Sequence, residues 1–250
     1  MNIGIIAGTG MDWLTPLEGW PEVKTPYGPA NIGAVEIGGR RVAVLRRHGP
    51  GLNVPPHLIN YRANLWALRE AGVRRVLATA AVGSMKEDMG PGTLAVMHDF
   101  VDFTRRRVCT MFDEPGEAVV HMDFSVPYCP EISSALEQAA EDQGIAMGRR
   151  VVYVCVDGPR YETPAEIRGY ANWGDVVGMT GVPEVVLSRE LGMCYGALAV
   201  LTNYAAGVAD KCLSHEEVVA CMAECRQMVH NVFTLAVTKI PDSPGCGCIG

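Results

Sequence analysis

No apolar stretch in this chain approaches the roughly 20 residues that a helix needs to span a bilayer. Residues 1–10 also lack the basic and long apolar regions of a secretory signal, so a cytoplasmic protein with no membrane partner is expected. An excess of positive charge is missing too: 21 Lys and Arg stand against 28 Asp and Glu, a formal net charge of −7. Binding to a phosphate backbone depends on clustered cations, which argues against nucleic acid. The one basic run, Arg105-Arg106-Arg107, reads as a solvated turn or a subunit contact. There is no Gly-x-Ser-x-Gly for a serine hydrolase and no paired Cys-x-x-Cys for a structural zinc site, so no metal is expected.

What is present is an ordinary globular composition, 48% hydrophobic and 20% charged over 250 residues, enough for one large core. The nine cysteines read as reduced, mostly buried thiols. Cys246-Gly247-Cys248 offers a labile disulfide or a soft-metal ligand pair, but the expectation for residues 241–250, beyond a domain of residues 1–240, is an unordered tail without a role. Apolar, β-rich runs at 2–7, 35–47 (a hairpin through Gly38-Gly39), 76–81, 94–98, 151–156, 176–179 and 195–202 predict strands. Helices are predicted at 58–71, 131–143, 164–173, 183–191 and 215–236. Prolines open the third and fourth, and Ser214 with Glu217 forms a capping box for the last. The alternation gives an α/β class with a mostly internal sheet, apolar on both faces.

Several polar residues interrupt this pattern where chemistry is possible. Gly8-Thr9-Gly10 follows a strand, but Trp13 replaces the third glycine of a dinucleotide fingerprint and Pro16 and Gly19 break the helix that should follow. The loop still exposes amides and a hydroxyl suited to a small anion. Arg47-His48 ends a strand, and an arginine there can grip phosphate through paired hydrogen bonds or pair with a surface carboxylate. Glu162 and Asn203 read equally as a helix-start carboxylate and a strand-end turn residue.

Taken together, Gly158-Pro159-Arg160-Tyr161-Glu162-Thr163, Gly178-Met179-Thr180-Gly181-Val182-Pro183-Glu184, Gly8-Thr9-Gly10, Arg47-His48 and Asn203 stand in the order of one family. From about residue 2 to about residue 238 the chain resembles the trimeric purine nucleoside phosphorylases and methylthioadenosine phosphorylases. The resemblance implies a single-domain, three-layer α/β/α sandwich with a mixed central sheet. It implies a homotrimer or dimer of trimers, inorganic phosphate as co-substrate, no cofactor, and a place in purine salvage. Phosphate would be held by Thr9, Arg47, His48, the amide of Ala81 and Thr180. The base would meet Tyr161, Glu162 and Asn203, and the ribose would meet Met179, His215 and, from a neighbouring subunit, His121. Asn203, Thr180 and His48 would be catalytic, and Tyr153 would lie near the sugar.

Methylthioadenosine enzymes of this family tend to carry Asp at the place of Asn203, Asp at Ala205, Ser at Glu162, Thr at Ala80 and a small apolar residue at His215. The residues of this chain instead match a 6-oxopurine. Asn203 can donate to the oxygen at position 6 and accept from protonated ring nitrogen 7, while Glu162 accepts from ring nitrogen 1 or the 2-amino group of guanine. The expected reaction is reversible phosphorolysis of inosine and guanosine to the base and ribose 1-phosphate. The alternatives are a methylthioinosine or methylthioadenosine phosphorylase, a nucleosidase that uses water, and a non-catalytic nucleoside-binding protein.

Overall fold

The computed structural model describes residues 1–248 except 17, 117, 118 and 211. Nine strands run through the described residues: β1 Ile3–Ala7, β2 Glu22–Thr25, β3 Gly28–Ile37, β4 Arg40–Arg46, β5 Arg75–Ser84, β6 Leu94–Asp102, β7 Val151–Cys155, β8 Val176–Gly178 and β9 Cys194–Tyr204. Five α-helices accompany them: α1 Tyr61–Glu70, α2 Pro130–Asp142, α3 Pro164–Tyr170, α4 Gly181–Glu190 and α5 His215–Lys239. Among the described residues no helix is long and apolar enough to cross a membrane.

The sheet is mixed, in the order β2-β3-β4-β1-β5-β8-β7-β6-β9, with β9 returning to pair with β5. Strands β5 to β9 therefore close on themselves, while β1 to β4 extend the sheet from β5. This closure is not foretold by the alternation of runs along the chain. Strands β1, β4, β5 and β9 are parallel to their neighbours in this group, so their C-terminal ends lie at one edge.

Alternation along the central strands explains the layers. Ile3, Ile5, Val42, Val44 and Leu77 face one core, which α2 and α5 cover with Ile132, Leu136, Met222, Val229 and Phe233. Their neighbours Ile6, Ala43, Leu45, Val76 and Ala78 face the other, which α1 and α4 cover with Leu65, Leu68, Val185 and Leu187. Both faces are thus buried, as period-two strands with apolar residues at every position require.

Sequence and structure differ where local signals are weak. Strand β2 alternates exposed and half-buried residues in Glu-Val-Lys-Thr, too polar and too short to register as a strand. The predicted helix at residue 58 starts later: Pro56–Leu58 is a separate 3₁₀ turn, and Asn60 caps α1 by accepting from the Ala63 amide at 3.1 Å. Pro183 does open the regular part of α4, because Val182 before it is extended at φ −112° and ψ 128°. Ser214 caps α5 by accepting from the Glu217 amide at 3.2 Å. A reciprocal capping box also stands at α3. There Thr163 accepts from the Glu166 amide at 3.2 Å, and Glu166 accepts from the Thr163 amide at 2.8 Å. The tail is not structureless through residue 248: Cys248 is buried and its carbonyl accepts from Arg189 at 2.8 Å.

The register of β5 against β9 shifts by one residue between Val82 and Gly83, so Ala81 opposes Val200, Val82 opposes Leu201 and Gly83 opposes Asn203. The same strand meets α2 closely at Gly196, where a Cβ would lie 2.3 Å from Ile132 Cγ2. Gly196→Ala is expected to destabilise the fold by about 1–3 kcal/mol through overpacking of this contact. Urea titration of the two proteins should show the loss as a lower midpoint at unchanged slope.

Candidate active site

A cleft of about 660 Å³ opens at the C-terminal ends of β1, β4, β5 and β9, within the volume range of small-molecule sites and at the edge where parallel strands commonly present them. Thr9 and Gly10 reach it from the loop after β1, Arg47 and His48 from the end of β4, Ala81 to Gly83 from β5, and Thr202 and Asn203 from β9. Met179 and Thr180 enter between β8 and α4, Tyr161 and Glu162 from the loop before α3, and His215 from the start of α5. The structure thus brings together every site residue expected from the sequence except Tyr153 and His121, the latter exposed and outside this cleft. Tyr153, expected near the sugar, is fully buried behind the wall. Its hydroxyl accepts from the Thr180 and Gly181 amides at 3.0 and 3.2 Å, fixing the turn that carries Thr180.

Arg47 is 2% exposed, and its partner is a carboxylate inside the protein, not at the surface. Its Nε and Nη2 donate to the two carboxylate oxygens of Glu184 at 2.6 and 2.8 Å, and Nη1 donates to the Thr79 carbonyl at 2.7 Å. Tyr195 donates to Glu184 at 2.8 Å as well. The arginine's paired edge is therefore committed to Glu184, leaving two of its five N–H groups. Burial disfavours its charge, but the adjoining Glu184 carboxylate outweighs burial and holds its pKa above the usual value. Gly8 makes room for this arrangement, since a Cβ there would stand 2.7 Å from Arg47 Nη1. Sequence reasoning included Glu184 in a motif without giving it a role. The available signal was a charged residue embedded in the apolar run Gly181-Val182-Pro183-Glu184-Val185-Val186-Leu187.

The remaining groups are few and well defined. His48 is half-buried with Nδ1 2.8 Å from the Val54 carbonyl, so Nδ1 carries the hydrogen. Burial, assisted by the neighbouring Arg47 charge, holds its pKa below that of an ordinary histidine despite the Val54 bond. Thr180 is 9% exposed, and its hydroxyl takes no part in capping α4. Asn203 is 5% exposed. Its Nδ2 donates to the Tyr204 carbonyl at 2.9 Å, and its Oδ1 accepts from the Thr202 hydroxyl at 3.0 Å. Glu162 is 9% exposed, with Oε1 buried and lacking a hydrogen-bond partner among the described residues. Burial raises its pKa above the usual carboxylate value, and nearby Glu166 adds to the effect. Gly158, at φ 66°, leaves space for Met179, whose Sδ would otherwise lie 2.4 Å from a Cβ. Ala205 contributes an apolar surface to the cleft, whereas Ala80 belongs to the core beneath.

Chemically, the cleft combines amides, a threonine hydroxyl and arginine hydrogens able to hold an oxyanion with an amide and a carboxyl able to read a heterocycle's edge. A model of the phosphorylase superfamily matches residues 2–238. A 6-oxopurine nucleoside phosphorylase from Pyrococcus furiosus is 48% identical over 255 residues, covering 99% of this chain and 96% of the relative. A probable S-methyl-5'-thioinosine phosphorylase from Methanopyrus kandleri is 45% identical over 253 residues, with 99% and 96% covered. The solved methylthioadenosine phosphorylase from Schistosoma mansoni, in complex with adenine, superimposes with a TM-score of 0.90 at 31% identity, over 95% of this chain and 91% of that one. With nearly the whole length of the chain matched in sequence and in fold, this protein belongs to the phosphorylase superfamily and is an enzyme of that family.

Proposed function

We propose that the chain catalyses reversible phosphorolysis of 6-oxopurine ribonucleosides, inosine and guanosine, giving the free base and ribose 1-phosphate. The observation that carries this reading is a buried glutamate with an unpartnered carboxyl oxygen, Glu162, in the same cleft as a half-satisfied Asn203. Of the hydrogen-bonding capacity of the Asn203 amide, one N–H and one lone-pair direction remain after its bonds to Tyr204 and Thr202. That remainder matches a base that offers an acceptor at position 6 and, as it leaves, a donor at ring nitrogen 7. Glu162 then takes the hydrogen of ring nitrogen 1, which adenine lacks. Tyr161 borders the base, and Met179 and His215 border the ribose.

Inorganic phosphate is the co-substrate and no cofactor is required. Its oxygens would be held by the Thr9 and Thr180 hydroxyls, the Ala81 amide, His48 and the two remaining hydrogens of Arg47. Because Glu184 neutralises Arg47, the anion meets oriented dipoles more than a bare positive charge. The glycosidic bond breaks as positive charge builds on the ribose, above the phosphate, and negative charge flows into the base, where Asn203 stabilises it. The reading extends to a cytoplasmic enzyme of purine salvage that works as a homotrimer or dimer of trimers, with His121 reaching the ribose of a neighbouring subunit. The exposed apolar residues Val119, Val120, Met122 and Val126 around His121 support a subunit contact there.

One observation favours a second substrate. Val218, Val219 and Met222 line the cleft along α5 beside His215, an apolar surface that suits a thiomethyl group at the 5′ carbon. Initial rates with inosine, guanosine, adenosine, methylthioinosine and methylthioadenosine, with and without phosphate, separate the possibilities. Rapid phosphate-dependent loss of inosine and guanosine alone is expected. Preference for methylthioinosine would transfer the proposal to that substrate, and turnover without phosphate would refute phosphorolysis.

Two variants probe the base site. Asn203→Asp should lower inosine turnover by about a hundredfold and shift the adenosine-to-inosine ratio upward. An unchanged ratio in a folded variant would sink the assignment. Glu162 accepts from ring nitrogen 1 most strongly when it is ionised. Its raised pKa means that kcat/KM for inosine should fall on acidification at a higher pH than an ordinary carboxylate would dictate. Glu162→Gln should abolish that limb of the pH profile; a limb that persists unchanged assigns it to another group.

A further inference from the structure

Away from the cleft, four thiols from distant parts of the chain converge. Cys129 stands at the N-terminal cap of α2, Cys194 opens β9, and Cys246 and Cys248 come from the tail. Their four Sγ atoms all lie within 4.8 Å of one another. Cys246 Sγ is 3.5 Å from that of Cys129 and 3.4 Å from that of Cys194. All four are free thiols, three of them buried and Cys246 half-buried. Four sulfurs around one zinc ion, each about 2.3 Å from it, stand about 3.8 Å apart at tetrahedral angles. The cluster therefore has the size and ligand number of a tetrathiolate site.

The surroundings suit negative charge. Arg75, 0% exposed, places Nη1 3.9 Å from Cys129 Sγ and 3.8 Å from Cys194 Sγ, and 2.6 Å from Glu131. Its Nε and Nη2 have no hydrogen-bond partner among the described residues. The tail is delivered by bonds that involve no thiol. Glu131 accepts from the Gly245 amide at 2.8 Å, and Arg189 donates to the Cys248 carbonyl at 2.8 Å. None of the four cysteines lines the catalytic cleft, so an ion here would have a structural role.

We propose that Cys129, Cys194, Cys246 and Cys248 bind one Zn²⁺ ion in a closed tetrahedral site that fastens the tail to the starts of α2 and β9. Binding exchanges four S–H bonds for four Zn–S bonds and releases four protons to solvent, with no change of oxidation state. The resulting centre carries two negative charges, which the buried Arg75 partly offsets. A ligand set of sulfur alone selects a thiophilic ion over Mg²⁺ or Ca²⁺. No Cys-x-x-Cys spacing announces the site, because only the Cys-x-Cys of the tail is local in sequence.

The test uses the full chain purified with reductant and without chelator, then dialysed against metal-free buffer. Plasma mass spectrometry should find about one zinc per chain, and replacement by Co²⁺ should produce sulfur-to-cobalt charge transfer and the visible bands of a tetrahedral ion. Retained zinc should fall at least about tenfold in Cys246→Ser and in Cys248→Ser, with circular dichroism confirming that each remains folded, and should be unchanged when the exposed Cys212 is replaced by Ser. The cobalt spectrum of the unaltered chain stands as evidence independent of the variants. Metal-free protein with all nine thiols titratable would overturn the proposal. So would an intact mass short by two hydrogens per sulfur pair, which would mean disulfides, or zinc that survives in the tail variants.

Discussion

A guanidinium and a carboxylate held out of water join four pieces of this protein. Arg47 comes from the end of β4 and Glu184 from α4, while Thr79 of β5 and Tyr195 of β9 add the remaining hydrogen bonds. Both ionic side chains are at most 2% exposed. Removing one partner of such a pair costs about 3–5 kcal/mol, because the other is left charged and buried, although replacing both with well-packed apolar groups is often neutral. The pair is therefore better understood as a constraint on position than as a source of stability. It fixes where the strand ends that form the cleft stand relative to α4, and it leaves two N–H groups of an arginine that lines the cavity without a protein partner among the described residues.

Around that constraint the cleft is organised in layers. Tyr153 meets no ligand in this arrangement, but its hydroxyl gathers two successive amides and so sets the turn from which Thr180 projects. Asn203 is similarly restrained on one side by Thr202 and on the other by the Tyr204 carbonyl. Glu162 is the opposite case. The capping box of Thr163 and Glu166 just beyond it orders the backbone, yet its own carboxyl oxygen is left buried without a partner. Thr180 and Asn203 are thus tied down, while Glu162 is held incomplete.

Much of this was legible in the sequence because the central strands are apolar on both faces. The runs that become β1, β5, β7 and β9 are continuous and bounded by glycine or polar residues. Strand β2 was not legible, since Glu22-Val23-Lys24-Thr25 sits half in solvent and gains its identity only by pairing with β3. The polar residues facing the cleft could be picked out because each interrupts an apolar pattern or sits beside a glycine turn. What they bond to could not: Arg47 looks the same in sequence whether its fork meets solvent, phosphate or Glu184. The thiol cluster was hidden for a related reason, as Cys129, Cys194 and the tail become neighbours only after the sheet has closed and the chain has passed α5.

The one-residue shift between β5 and β9 has a bearing on how related chains should be compared. In a regular ladder, consecutive residues point to opposite faces, but the bulge allows Thr202 and Asn203 both to border the cleft, with Gly83 set against Asn203. Loss of the extra residue would turn the amide toward the helices without changing a single side chain. The face that Asn203 presents is accordingly set by the register of two strands as well as by the identity of the residue.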